Sequence, residues 1–210
     1  MMEPRSPVSR RAGAAASAAA LLLALLTCAA PAAAGPEEGR AKAQACVACH
    51  GENGNSVNPA FPSLSGQPKQ FIVSALFQFR EGKRQNDIMS PLAAKLSNAD
   101  MNDLAAYYAT QPAAAPQHKT APANVEKGRQ LSVQNNCVAC HAANLMGQQH
   151  IPRVAGQQKD YLRAQLMSFK ASTRGEMDGV MTSAAQALSQ EDIDVLADYM
   201  AGLPVAPGAR

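Results

Sequence analysis

Apolar residues recur at helical spacing in several segments of the chain, and these segments come in pairs. Residues 70–82 and 160–173 each place large apolar or aromatic side chains three and four positions apart, the period of a helix with one buried face. Two further apolar stripes begin after Ser97 and Ser189, where an acidic residue follows three positions later in a helix-capping pattern. Neither member of a pair shows a convincing apolar and polar alternation flanked by hairpin turns, so the pattern predicts an all-α protein.

The paired segments belong to a tandem repeat. The pentapeptide Cys-Val-Ala-Cys-His occupies residues 46–50 and again residues 137–141, identical at every position and displaced by 91 residues. Landmarks after each pentapeptide recur in the same order, and they are Pro62 followed by Gly66-Gln67, and Pro152 followed by Gly156-Gln157. The repeat therefore predicts two domains with the same fold.

The first 34 residues have the three parts of a secretory signal peptide: a basic start, an apolar Ala- and Leu-rich stretch, and small residues before Gly35. Cleavage is expected after Ala34. An uncleaved membrane anchor is the alternative, because the apolar stretch approaches spanning length. Cys28 lies in this stretch and loosely resembles a lipoprotein site, but Thr27 before it is unfavourable, so we interpret Cys28 as part of the removed segment.

The remaining chain divides into two domains and a connection. Between the copies, several prolines stand among alanines and polar residues, a composition typical of a semi-rigid linker. The predicted divisions are a first domain at residues 35–111, a linker at residues 112–124 and a second domain at residues 125–210. His118 lies in the linker and is expected to be exposed, and neither His118 nor His150 is expected to bind a metal.

The amino-acid composition excludes several classes of protein. A chain of 210 residues that is 47% hydrophobic is neither disordered nor fibrous. Its net charge of +3, without a basic helical stripe, does not indicate a nucleic-acid partner. Two domains of about 90 residues each have thin cores and need a covalent or metal staple. Removal of Cys28 with the signal leaves four of the five cysteines, all in the pentapeptides.

The Cys-x-x-Cys-His pattern is typical of covalent attachment of c-type haem. Residues i and i+3 share one face of a helical turn, so both thiols can reach the two vinyl groups at one porphyrin edge. The histidine that follows can bind the iron as the proximal ligand. The predicted attachment residues for two haem c groups are Cys46, Cys49, Cys137 and Cys140, and the predicted proximal ligands are His50 and His141.

Paired cysteines have two other common uses in proteins. Redox-active disulfides of the thioredoxin type occur near βαβ patterns, which this sequence lacks. A structural zinc bound by both pairs would have to close a gap of 87 residues between Cys49 and Cys137, far longer than in zinc ribbons. The duplicated motif in an exported chain therefore favours haem.

The residue on the far side of each iron determines the chemistry, and methionine favours electron transfer. Met89 precedes Leu96-Ser97 by seven and eight residues, and Met181 precedes Leu188-Ser189 by the same intervals. This register predicts Met89 and Met181 as the distal ligands. In the second repeat Met177 stays open as an alternative, and the register disfavours Met146, Met167 and Met200.

With these motifs, the chain resembles dihaem cytochromes of the c4 type over nearly all of its length after the signal peptide. The resemblance rests on both pentapeptides, both Pro-x-x-x-Gly-Gln segments, Met89 and Met181, and a Leu-Ala-x-Tyr pattern at residues 104–107 and 196–199. It implies two class I cytochrome c domains related by an approximate twofold axis, with the haem propionates near the domain interface.

The resemblance also implies two local features. The first helix of each domain would cross the last one closely at Gly39 and Gly128, beside Tyr107 and Tyr199. The carbonyl groups of the two repeated prolines would accept the proton on the other ring nitrogen of each proximal histidine, which fixes the ring. The residues concerned are Pro62 with His50, and Pro152 with His141.

These features predict a periplasmic electron carrier rather than an enzyme, taking electrons from a respiratory complex and delivering them to a terminal oxidase or reductase. One alternative is the electron-accepting cytochrome subunit of a larger dehydrogenase, such as a flavocytochrome sulfide dehydrogenase. A dihaem peroxidase is another, but it needs an open sixth iron site, which the paired methionines disfavour. Peripheral association with a membrane is also left open.

Overall fold

Helices make up the regular structure of this protein. The computed structural model describes Met1 and residues 35–205, so the predicted signal segment and its cleavage site lie outside the described residues. Within residues 35–205 there are ten α-helices, and the one β interaction is an isolated bridge between Gln148 and Ile151. The all-α prediction is confirmed. None of the helices in this part of the chain is long and apolar enough to cross a membrane.

Each copy of the repeat contributes five α-helices in the same order. The first copy contains α1 (Pro36–Ala43), α2 (Val47–His50), α3 (Lys69–Arg80), α4 (Met89–Ala93) and α5 (Asn98–Thr110). The second contains α6 (Pro122–Gln134), α7 (Cys137–His141), α8 (Lys159–Lys170), α9 (Val180–Gln186) and α10 (Gln190–Ala201). The helices α3 and α8 lie where the apolar periodicity predicts them, each beginning one residue earlier and ending two or three residues earlier than predicted.

The predicted capping sequences start the last helix of each copy. The Ser97 hydroxyl accepts a hydrogen bond from the backbone N–H of Asp100 at 3.1 Å, and the Asp100 carboxylate accepts one from the Ser97 N–H at 2.9 Å. Ser189 and Asp192 repeat both bonds at 3.0 Å. These reciprocal bonds satisfy backbone donors that a helix N-terminus otherwise leaves free.

The first and last helices of each copy cross at a glycine. A Cβ atom on Gly39 would lie 2.0 Å from the carbonyl oxygen of Asp103 and 2.6 Å from the Cβ of Tyr107. A Cβ on Gly128 would lie 2.3 Å from the Cβ of Tyr199. Only a residue without a side chain permits this approach, so the close crossing expected at both glycines is confirmed.

Each copy has its own small hydrophobic core. The first core consists of Ala43, Ile72, Leu104, Ala105, Tyr107 and Tyr108. The second consists of Leu145, Ala155, Leu162, Leu188, Ile193, Leu196, Ala197, Met200 and Ala201. With so few side chains in each core, both domains suit a fold that is completed by a bound group.

The segment between the copies packs against α10 through one buried carboxylate. Asp198 is only 3% exposed. Its carboxylate oxygens bind Nε2 of His118 at 2.7 Å, Nζ of Lys159 at 2.9 Å, and the backbone N–H of Ala121 and Nδ2 of Asn124 at 3.0 Å each. The expectation that His118 is exposed is wrong, because this carboxylate holds the ring.

The predicted linker also overlaps the next helix. Helix α6 begins at Pro122, so it includes the last three residues of the predicted linker. Proline suits the first position of a helix because the N–H it lacks has no helical partner there. The last part of the proline-rich segment is therefore a helix start rather than a spacer.

We expect Asp198→Asn to destabilise the protein by about 1.5–3 kcal/mol at pH 7, because it removes charge-assisted hydrogen bonds. Burial raises the pKa of Asp198, but hydrogen bonds from Asn124, Lys159, Ala121 and His118 outweigh burial and hold that pKa well below its ordinary value. The stability that the carboxylate contributes is therefore complete above about pH 4, the pKa of an unfolded aspartate, and is lost as pH falls below it. Thermal unfolding at several pH values measures this.

The matched control for that experiment is Asp194→Asn. Asp194 is on the same helix and pairs with Arg163, but its side chain is 48% exposed. Exposed ion pairs contribute little to stability. Equal destabilisation by the two substitutions would contradict the assigned role of Asp198.

Candidate functional site

The two pentapeptides form equivalent helical turns. Cys46 immediately precedes α2, which contains Cys49, whereas α7 contains both Cys137 and Cys140. None of the four forms a disulfide within the described residues; three are half-buried and Cys140 is exposed. Burial raises the pKa of the Cys46 and Cys137 thiols, so both are protonated at neutral pH.

The histidine of each pentapeptide is buried and held by a proline carbonyl. His50 and His141 are each 6% exposed, and their Nδ1 atoms lie 2.8 Å from the carbonyl oxygens of Pro62 and Pro152. A carbonyl can only accept, so Nδ1 carries the proton in both rings. Burial lowers the pKa of both imidazoles more than these hydrogen bonds raise it. Each ring is therefore neutral, with the lone pair of Nε2 free to bind a metal.

The four thiols do not meet at one place. In the described part of the chain, no three His, Cys, Asp or Glu side chains come together as a metal site. A shared zinc, the alternative with all four cysteines as ligands, requires such a cluster. Each pentapeptide instead contributes two thiols and one neutral imidazole within five consecutive residues, which suits covalently attached haem.

The two predicted distal methionines occupy equivalent short helices. Met89 begins α4, and its backbone N–H donates to the Oδ1 of Asn86 at 2.8 Å. Met181 is the second residue of α9, and both methionines are half-buried. Helix α4 packs against α3, and α9 packs against α8. Met177 lies in the loop before α9 and is 74% exposed.

The other methionines in the second copy belong to its core. Met200 is 5% exposed, and both Met146 and Met167 pack against the same cluster. His150 is exposed and follows α7 in a loop. The structure thus leaves Met181 and Met177 as the candidates for the distal position.

Three arginines at the boundary between the copies lack carboxylate partners. Arg153 is 1% exposed, and burial lowers its pKa to about 10. Arg84 and Arg174 both donate to the Oε1 of Gln165, at 2.9 and 2.5 Å. None of the three arginines forms an ion pair within 4.0 Å among residues 35–205. The buried Nε atoms of Arg153 and Arg174 have no hydrogen-bond partner there.

Buried cations need anionic partners, because transfer of a charge out of water is costly. Two buried arginines, Arg84 and Arg153, and the half-buried Arg174 lie at one boundary. They suit a group that brings its own carboxylates, as the haem propionates do. Sequence reasoning missed these residues. The signal was present, since Arg84 and Arg174 stand at equivalent positions, five residues after the matched aromatics Phe79 and Phe169. Each guanidinium lies 4.4 Å from the centre of that ring.

Comparison with known proteins agrees with this geometry. The Cytochrome c family model matches residues 36–111 and again residues 125–204. The chain is 38% identical over 184 residues to cytochrome c4 of Thiocapsa roseopersicina, an alignment that covers 80% of this chain and 92% of the relative. It is 32% identical over 188 residues to the thiosulfate dehydrogenase electron acceptor of Thiomonas intermedia strain K12, covering 84% of each chain.

The fold is also similar to a solved structure. The crystal structure of reduced recombinant cytochrome c4 from Pseudomonas stutzeri superimposes with a TM-score of 0.76 and 30% sequence identity. The match covers 81% of this chain and all of the other. Two tandem class I domains, as the resemblance implied, are therefore confirmed.

The residue after each buried histidine adopts a backbone conformation that favours glycine. Gly51 has φ 75° and ψ 169°, and Ala142 at the equivalent position has φ 66° and ψ 163°. That region is essentially restricted to glycine and costs other residues about 1–3 kcal/mol. The second site is thus built on a strained turn that the first site avoids.

We expect Ala142→Gly to stabilise the protein by about 1–3 kcal/mol by removing this strain. The reciprocal change Gly51→Ala should destabilise it, since a Cβ there would also lie 2.0 Å from the carbonyl oxygen of Asn55. Denaturant unfolding measures both. Destabilisation by Ala142→Gly would show that the turn is not strained.

Proposed function

The chain belongs to the cytochrome c4 family, and from that premise we propose that it is a periplasmic carrier of electrons between respiratory proteins. The family carries covalently bound c-type haem, and the two cytochrome c domains of this chain correspond to two such groups. The observation that supports the proposal most strongly is the pair of buried neutral histidines, each beside two free thiols.

The proposed roles follow the chemistry of each side chain. The thiols of Cys46, Cys49, Cys137 and Cys140 attach the haems, His50 and His141 bind iron through Nε2, and Pro62 and Pro152 fix these rings. Met89 and Met181 are the proposed distal ligands. Their neutral thioethers would bind the iron of a bound haem, which favours electron transfer over reaction with a substrate. When bound, each haem supplies a one-electron couple between ferrous and ferric iron.

The protein supplies a fixed environment for that couple. The proline carbonyls hold the imidazole rings in one tautomer, so little rearrangement accompanies a change of charge. The unpaired guanidinium groups of Arg84, Arg153 and Arg174 are proposed to neutralise haem carboxylates at the boundary between the domains. We place the first domain at residues 35–111 and the second at 125–210, with the linker at 112–124 continuing into the start of α6.

The proposed partners are a respiratory complex as donor and a terminal oxidase or reductase as acceptor. A second candidate function is the electron-accepting component of a dehydrogenase. The Thiomonas intermedia relative supports it, because that protein is a thiosulfate dehydrogenase electron acceptor and the alignment covers 84% of each chain. Both functions use the same dihaem fold and differ in the donor.

Kinetics with purified partners distinguish these functions. A carrier is reduced rapidly by membranes that contain a respiratory complex and is reoxidised by membranes that contain an oxidase or reductase. An acceptor component instead copurifies with a dehydrogenase and is reduced by its substrate. Rapid turnover of peroxide by the purified protein would contradict both and would indicate a peroxidase.

Single methionine substitutions test the distal ligands. We expect Met89→Ala and Met181→Ala each to remove half of the methionine-to-iron charge-transfer absorption of the oxidised protein, near the red end of the visible spectrum. The matched control is Met177→Ala, four residues before Met181, which should leave the absorption complete. Loss of half the absorption in Met177→Ala, with none in Met181→Ala, would show that Met177 is the second ligand.

A further inference from the structure

The Gly-Gln pair that follows each repeated proline has no role in the sites described so far. Gly66 and Gly156 have φ angles of 61° and 62° in the left-handed region. Their N–H groups donate to the carbonyl oxygens of Tyr108 and Met200, in the last helix of their own copy, at 2.9 and 2.8 Å. The glycine therefore turns the chain against that helix.

The glutamine after each glycine reaches into the other copy. Gln67 is 2% exposed and Gln157 is 4% exposed. Gln157 accepts from the N–H of Ser63 at 2.7 Å and donates to the Ser63 carbonyl at 2.9 Å. Gln67 accepts from the N–H of Arg153 and donates to the Arg153 carbonyl, both at 2.9 Å. The two contacts are reciprocal and bury every polar atom of both amides against a partner.

The peptide group that each glutamine binds is the one that holds a proximal histidine. The N–H of Ser63 and the carbonyl of Pro62 belong to a single peptide unit, and that carbonyl accepts from Nδ1 of His50. The N–H of Arg153 and the carbonyl of Pro152 form the corresponding unit for His141. Each histidine is thus connected by two consecutive hydrogen bonds to a glutamine of the opposite domain.

Consecutive hydrogen bonds strengthen one another. A peptide whose N–H donates is more polarised, so its carbonyl becomes a stronger acceptor. A stronger acceptor at Nδ1 raises the basicity of Nε2, the metal-binding nitrogen. A more basic ligand stabilises the ferric state over the ferrous state and lowers the reduction potential. The strength of the glutamine contact in one domain is thereby transmitted to the iron ligand of the other.

We propose that Gln67 and Gln157 are crossed positioning residues, each of which lowers the reduction potential of the haem in the opposite domain. The assignment rests on the proposed iron ligation by His50 and His141. It explains why a glycine and a glutamine follow the proline at a fixed distance in both copies. The interface between the domains is, on this account, part of both electron-transfer sites.

The test replaces one glutamine at a time. Gln157→Leu should raise the reduction potential of the haem in the first domain and leave that of the second nearly unchanged. Gln67→Leu should raise the potential of the haem in the second domain and leave that of the first nearly unchanged. We expect a change of about threefold to tenfold in the reduction equilibrium constant, where tenfold corresponds to about 59 mV for one electron. Potentiometric titration followed by NMR separates the two haems, because each haem methyl signal is assigned through its contacts with its own domain.

The control is Gln158→Leu. Gln158 also makes a bond across the boundary, from Nε2 to the carbonyl of Ser56 at 2.5 Å, but that peptide holds no histidine. The reduction equilibrium constant of each haem should stay within twofold of its value in the unaltered protein. If a leucine variant does not fold, Gln157→Met and Gln67→Met retain the side-chain length without the amide and give the same crossed result.

Failure of the glutamine proposal and failure of the proposed electron-transfer function give different results. The proposal would be overturned if both reduction potentials changed equally, if only the haem of the substituted domain changed its potential, or if neither potential changed. A pyridine haemochrome assay and the charge-transfer absorption are recorded on the same samples. If the unaltered protein lacks two haems with histidine and methionine ligands, the proposed function fails instead.

Discussion

The hydrogen bond from a buried imidazole to a proline carbonyl is the contact on which both sites of this protein depend. It fixes the tautomer of His50 and His141 and leaves Nε2 as the free nitrogen. The loop between histidine and proline must reverse direction to make this bond. Residues with positive φ, including Gly51 and Gly54, allow that reversal in the first copy. A short turn of helix, a reversing loop and one proline thus act as a unit.

The same bond also links the sites to the domain boundary. The peptide that accepts from the histidine donates to a glutamine of the other domain, so the geometry inside one domain depends on how the two domains pack. The unpaired arginines lie at this boundary as well. The orientation of each histidine therefore depends on packing between the domains, which explains why both copies contain the Gly-Gln pair.

Duplication has not left the two sites equivalent. Arg153 follows the proline in the second copy, where Ser63 follows it in the first, so the equivalent positions hold a buried cation and a buried hydroxyl. Ala142 replaces Gly51 after the histidine, which places strain at the second site alone. Different charge and different strain give the two irons different surroundings, and burial and hydrogen bonding are what set reduction potentials.

Much of this architecture follows from local sequence signals. Helix periodicity, the capping residues Ser97 and Ser189 and the repeated pentapeptide predict the helices and the attachment sites, because each signal acts over a few residues. The contacts that were not predicted join distant parts of the chain. His118 meets Asp198 across 80 positions, and Gln67 meets Arg153 across 86. The first pair depends on how the linker packs against the second domain, and the second pair on how the two domains pack, which no local pattern predicts.

Through-hydrogen-bond NMR of the reduced, haem-loaded protein tests the central claim most directly. With ¹⁵N in histidine and ¹³C in proline, the account predicts scalar coupling from Nδ1 of His50 to the carbonyl carbon of Pro62, and from His141 to Pro152. It also predicts that Nε2 of these two rings alone carries the signature of bound iron. Absence of the coupling in either domain, or iron bound to His118 or His150, would contradict it.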